Sequence, residues 1–117
     1  MMYMTFIFVL LAGGTANTVS GYNGSILGGT SNQASGSYSA VVTGDTNVAS
    51  GLHSVILGGS GNTAACAYSY IAGCAITASM ACALHANRLV LTNIPTSSAG
   101  LPSGAVWSNS GVLTIVP

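Results

Sequence analysis

Charge is what this sequence has least of. Its 117 residues include Arg88 and Asp45 but no Lys or Glu, so charged residues are 2% of the chain, against roughly 25% in ordinary soluble domains. A nucleic-acid interface needs clustered Lys and Arg to neutralise phosphates, and one guanidinium does not make one. Docking on an anionic membrane surface fails for the same reason. A pair of carboxylates for acid–base work is missing, as is any lysine; an enzyme is not expected, and no catalytic, cofactor-binding or metal-binding residue is assigned. Calcium-binding β-rolls share the Gly-rich look but need an Asp in nearly every turn, and Asp45 stands alone.

Long apolar runs are scarce too. Met1–Leu11 (MMYMTFIFVLL) is apolar but shorter than the about 20 residues that span a bilayer. It lacks the basic residues that open a signal peptide. Membrane insertion is therefore not expected. Phe8–Ala12 fits one step before Asn23–Leu27, so the run reads as a first coil or its cover, with a signal or anchor segment or a misplaced start as the alternatives. Cysteines number three, Cys66, Cys74 and Cys82, with His53 and His85 nearby in sequence. Spacings of eight do not match the close pairs of structural zinc sites. Small buried thiols are the expectation, with a disulfide within or between chains left open.

What the chain does have is a period of fifteen. Asn17, Asn32, Asn47 and Asn62 keep that step, as do Gly14, Gly29, Gly44 and Gly59, and Gly21, Gly36 and Gly51. The apolar columns Leu11, Ile26, Val41, Ile56, Ile71 and Ala12, Leu27, Val42, Leu57, Ala72 share the register. Self-similarity at a short fixed step marks stacked structural units. Glycines this frequent leave no room for helices, whereas short strands between Gly and Asn turns fit. The fold class is thus all-β: a parallel β-solenoid of five coils over residues 1–86, the fifth one residue short. Gly29 and its column read as left-handed turn positions. The Asn column reads as a turn-forming or coil-bridging ladder.

Neighbouring strand residues point to opposite faces. Ile26 and Leu27 therefore cannot both face the coil's interior, nor can Val41 and Val42, or Ile56 and Leu57. One of each pair meets something else, and another copy of the chain is the simplest partner. The smaller column Val19, Ala34, Ala49, Ala64 suits a tight interior. Asn23, Tyr38, His53 and Tyr68 form a further column, which reads as a packed ladder or as a ligand-facing one. Residues 87–117 fall outside the period. Asn87–Ile94 reads as a strand, followed by a Pro/Gly/Ser-rich connection. Ala105–Trp107 and Val112–Val116 read as a hairpin that covers the solenoid's end, with Trp107 in its core.

Ser39-Ala40-Val41-Val42-Thr43-Gly44 and Asn47-Val48-Ala49-Ser50-Gly51 resemble the head repeats of trimeric autotransporter adhesins and the related repeats of phage fibre proteins. The step here is one residue longer than is usual there. That resemblance implies an intertwined homotrimer of left-handed β-rolls. The tail resembles the C-terminal ending of many tailed-phage virion proteins through Asn93-Ile94-Pro95-Thr96-Ser97, Gly104-Ala105-Val106-Trp107 and Gly111-Val112-Leu113-Thr114-Ile115-Val116. It implies a structural virion protein, a tail fibre, spike or capsid decoration. Its partners would be itself, other virion proteins and a host-surface glycan or protein. The rival readings are a subunit of a bacterial or archaeal extracellular filament, an autotransporter head fragment at the cell surface, and an ice-binding solenoid. The last needs a regular Thr face, and Thr15 and Thr30 give way to Asp45 and Ser60.

With so few charges, little stability rests on screened ion pairs. The thermal midpoint is expected to move by less than about 2 °C between low salt and ~0.5 M NaCl, read by circular dichroism. A larger shift would mean that Arg88 or Asp45 carries an ion pair essential to the fold.

Overall fold

Glycine and asparagine decide where this chain turns. The computed structural model describes residues 8–117, so the expectation for Met1–Ile7 lies outside the described residues. Within them the chain is all-β, and its strands wind into a parallel β-solenoid of about five turns. One side of the coil is a six-stranded parallel sheet of β1 (Leu10–Leu11), β3 (Ser25–Ile26), β5 (Ala40–Val41), β7 (Val55–Gly58), β9 (Tyr70–Ala72) and β10 (Leu84–Ala86). A second side holds β2 (Thr18–Val19), β4 (Gln33–Ala34), β6 (Val48–Ala49) and β8 (Thr63–Ala64). A third, shorter side is a row of single parallel bridges through Thr15, Thr30, Asp45 and Ser60.

Three left-handed residues per coil separate these sides. Gly14, Gly29, Gly44 and Gly59 supply the first corner, with φ between 87° and 114°. A side chain at Gly44 would overlap the carbonyl oxygen of Gly59 in the next coil, so both backbone conformation and close approach require glycine here. Ala16, Ser31, Thr46, Gly61 and Ala75 make the second corner; Asn23, Tyr38, His53, Tyr68 and Cys82 make the third. One, six and five residues separate successive corner residues, and the turns take up part of these stretches, which keeps the strands to two to four residues and the third side to single bridges.

The interior follows the alternation of each strand. Ile26, Val41, Ile56 and Ile71 point inward from the first sheet, and Ala34, Ala49 and Ala64 from the second; all seven are fully buried. Each large aliphatic side chain so buried contributes about 1.5–3 kcal/mol. Pairing a large column against a small one lets the two sheets approach closely. Leu27 and Leu57 point outward and stay about half-exposed, at 50% and 51%, and Val42 is half-buried on the same face. Leu11 shares the register of Ile26 yet is 51% exposed, because no further coil covers it among the described residues. The core column is thus shorter by one member than the period suggests.

The interior is also polar. Asn32, Asn47 and Asn62 are buried and bond to one another along the stack. Asn47 donates from its backbone N–H to Asn32 Oδ1 at 3.0 Å and from Nδ2 to the same oxygen at 3.1 Å. Its Nδ2 also reaches the carbonyl of Gly59 in the next coil at 2.9 Å. Its own Oδ1 accepts the N–H and Nδ2 of Asn62, both at 3.0 Å. Asn17 starts this ladder, and Ile76 ends it by donating its N–H to Asn62 Oδ1 at 3.0 Å.

The step shortens at one identifiable place. Val55 pairs with Tyr70 and Ile56 with Ile71 at fifteen, but Gly58 pairs with Ala72 at fourteen, leaving Leu57 bulged. The bulge carries one extra residue, and the next rung keeps the shorter step, Leu84 pairing with Tyr70. A strand over Asn87–Ile94 is not formed. The last rung is β10 instead, and Leu89 and Val90 are 73% and 82% exposed; alternation without a partner edge to pair with makes no strand. Farther on, β11 (Val106–Asn109) and β12 (Val112–Ile115) form an antiparallel hairpin. Its turn residues Ser110 and Gly111 have φ of 53° and 88°, the type I′ geometry that suits a two-residue loop. The turn is two residues long rather than four, so the first strand extends to Asn109.

Asn47→Ala removes the side-chain bonds of two ladder rungs and strands the Asn62 N–H in the interior, while the backbone N–H at 47 still reaches Asn32 Oδ1 and the Gly59 carbonyl keeps only the Asp45 N–H. A loss of about 3 kcal/mol or more is expected in urea unfolding, since each buried unsatisfied group costs about 1–3 kcal/mol. Asn47→Asp places a carboxylate against the oxygens of Asn32 and Gly59. It is expected to be worse than alanine at neutral pH and to recover part of its stability in acid, as protonation removes the buried charge. Equal stability of the three proteins would remove the ladder from its central place.

Candidate functional site

The third corner gathers most of the aromatic side chains of the coils. Asn23, Tyr38, His53 and Tyr68 sit there with φ of 51°, 57°, 53° and 55°. The left-handed region is unfavourable for bulky residues, by roughly 1–2 kcal/mol each. Stacking offsets that strain. The rings of Tyr38 and His53 lie 4.6 Å apart and 3° from parallel, and those of His53 and Tyr68 lie 5.0 Å apart at 10°. Tyr22 meets Tyr38 edge-on, at 5.5 Å and 76°. Corner amides add a second tie, with the N–H of Tyr38 donating to Tyr22, of His53 to Ser37 and of Tyr68 to Leu52.

Rings stacked coil on coil cover one another's faces. What they present to solvent is a strip of edges, tyrosine hydroxyls and an imidazole, with Tyr38 45% and Tyr68 44% exposed. A sugar or other flat ligand that needs an open ring face does not find one in the middle of this strip. Asn23 begins the column without a ring, and its Oδ1 accepts the Phe8 N–H at 3.2 Å. Cys82 takes the same corner after Tyr68, with φ of 56°.

The coil's outer faces differ sharply in chemistry. Outward from the six-stranded sheet run the columns Leu10, Ser25, Ala40, Val55, Tyr70, Leu84 and Ala12, Leu27, Val42, Leu57, Ala72, Ala86. Only Ser25 breaks their apolar character. The four-stranded sheet instead shows Thr18, Gln33, Val48 and Thr63, flanked by Ser20, Ser35, Ser50 and Ala65. The residues expected at an oligomer interface therefore separate: Ile26, Val41, Ile56 and Ile71 lie in the chain's own core, while Leu27, Val42 and Leu57 are available to a partner. The outward column from Leu10 to Tyr70 keeps the same fifteen-residue step, and that step is the signal by which sequence alone could have found it.

The cysteines correct the expectation of buried thiols. All three are free, but only Cys66 is half-buried, its Sγ donating to the Ala78 carbonyl at 3.3 Å; Cys74 and Cys82 are exposed. Both lie in the fifth coil, where no following coil covers the corners. No group of three His, Cys, Asp or Glu side chains converges among the described residues. His85 continues the interior column of Ile71; its Nε2 accepts the Ser79 N–H at 3.3 Å, while Nδ1 is buried without a partner. Asn87 Oδ1 accepts the Cys74 N–H at 2.7 Å, a tie at the end of the stack that spacing did not reveal. Trp107 is half-buried in the hairpin opposite Thr114.

No family model, curated protein or solved structure matches this chain.

His53→Ala deletes the central ring while keeping a Cβ in the strained corner. A loss of about 1–3 kcal/mol is expected from two lost stacking contacts, together with a change in the near-ultraviolet dichroism of the tyrosines. His53→Gly loses the same contacts but relieves the strain, so it should be the more stable of the two by about 1 kcal/mol. The reverse order would show that the left-handed conformation carries no strain for this residue.

Proposed function

We propose that the chain is a structural protein whose work is assembly: a short β-solenoid module in a homotrimeric virion appendage. A phage tail fibre, spike or capsid decoration fits best, with contact to a host-surface glycan or protein as its adhesive role. The observation that carries this reading is the two-faced solenoid, apolar outside one sheet and hydroxyl-rich outside the other. Monomeric proteins rarely expose continuous apolar surface of this kind. The near-absence of charge agrees, because a chain with one Arg and one Asp is suited to packing against protein rather than to polyanions.

The hairpin supports the same reading. Val112, Leu113 and Ile115 are 65%, 59% and 65% exposed, and a two-stranded hairpin is marginal alone in water. We read it as an element that closes the assembly together with its copies, which is how a C-terminal cap of a trimeric fibre would behave. Left-handed winding of the roll and location on a virion belong to this reading through the sequence resemblance. A filament subunit is the second reading. It is favoured by Phe8, which is 76% exposed beside the half-exposed Val9, Leu10 and Leu11 at one end of the stack.

Native mass spectrometry with electron microscopy of the same sample tests the choice. A closed species of three chains is expected. An open series of growing polymers would replace the virion appendage with the filament, and a stable monomer would remove both.

A further inference from the structure

We propose that copies of this chain meet through the outer face of the six-stranded sheet, with the hydroxyl-rich sheet left in solvent. The inference rests on the reading of the chain as a self-assembling module and adds the surface that does it. Leu10, Leu27, Val55, Leu57, Tyr70 and Leu84 define the strip, and four of them are 50–65% exposed in the single chain, with Tyr70 at 43%. The strip runs over all six strands of the sheet, a continuous apolar surface of the kind that monomeric proteins rarely leave in water.

Three features point to a second copy as the occupant. The strip is ridged at the spacing of the coils, about 4.8 Å, and a surface with that repeat interdigitates best with another of the same repeat. Neither charge of the chain lies on it: Asp45 is on the third side of the coil and Arg88 follows the last strand. Two copies therefore meet without burying an ion, and nothing on the strip selects a charged partner. The opposite sheet, with Thr18, Gln33 and Thr63 outward, keeps its hydrogen-bonding groups in water at no desolvation penalty.

The test begins with hydroxyl-radical footprinting of the native protein. Tyr70 and Tyr38 are equally exposed in the single chain, at 43% and 45%, so they should label alike unless one is covered. Tyr70 is expected to be at least about fivefold protected relative to Tyr38. The double variant Leu27→Lys/Leu57→Lys is expected to shift the native mass to a monomer, while Thr18→Lys/Ser50→Lys keeps the assembly. Equal labelling of the two tyrosines in a multi-chain species would overturn this face while leaving self-assembly standing. A monomeric parent protein would overturn both. Loss of fold in the leucine variant leaves the footprint as the deciding measurement, since it needs no substitution.

Discussion

The buried asparagine ladder is the constraint on which the rest of this structure depends. A coil of fifteen residues with three left-handed corners exposes many backbone groups toward its own interior, and these must find partners out of reach of water. Each of the buried ladder residues Asn32, Asn47 and Asn62 serves its own coil and both neighbours. Asn32 Nδ2 donates to Asn17 Oδ1 behind it, to the Gly28 carbonyl in its own coil and to the Gly44 carbonyl ahead, at 3.1, 3.3 and 2.8 Å. A side chain that bonds in both directions along the stack sets the register of every coil against the next. Aliphatic columns could slide by a residue; a column of amides with fixed donor and acceptor ends cannot do so without breaking bonds in the interior.

Once the ladder fixes the register, the other columns fall into line. Glycine is required beside it because the next coil's carbonyl passes where a Cβ would lie. Tyr38, His53 and Tyr68 are held in left-handed corners, and their rings stack because the register places them one above another. The same register makes the outer faces uniform: an apolar residue repeats above an apolar one, and a hydroxyl above a hydroxyl. Regularity inside thus produces continuous surfaces outside, which suits a protein whose proposed role is to pack against copies of itself.

The stack ends where the ladder ends. Ile76 stands at the last ladder position, donating its N–H to Asn62 Oδ1, and offers no side-chain oxygen to a following coil. The shorter fifth coil, the exposed Cys74 and Cys82, and the Asn87 bond to the Cys74 N–H all lie in this final stretch. Beyond it, the hydrogen bonds among the described residues of 88–117 stay within that segment, as in Ser108 N–H to the Pro95 carbonyl and Gly104 N–H to the Val116 carbonyl. Hairpin and solenoid are thus separately bonded units.

Sequence by itself determined the repeat, the all-β solenoid and the residues that share each column, because a fixed step in the chain becomes a fixed step in space when coils stack. It also located the short fifth coil, through the fourteen-residue step from Thr63 to Thr77, and placed the hairpin's turn within 108–111, of which Ser110 and Gly111 form it. Only the tertiary structure decided which member of each apolar pair faces inward: Ile26 and Leu27 are equivalent in hydropathy, and the direction of the corner alone tells them apart. Nor could sequence show that the ladder amides bridge three coils, that the ring faces of Tyr38, His53 and Tyr68 cover one another, or that Leu89 and Leu91 alternate without a strand to pair with. Those outcomes depend on what lies across the coil and above it, and a column read along the chain carries no information about its neighbours in space.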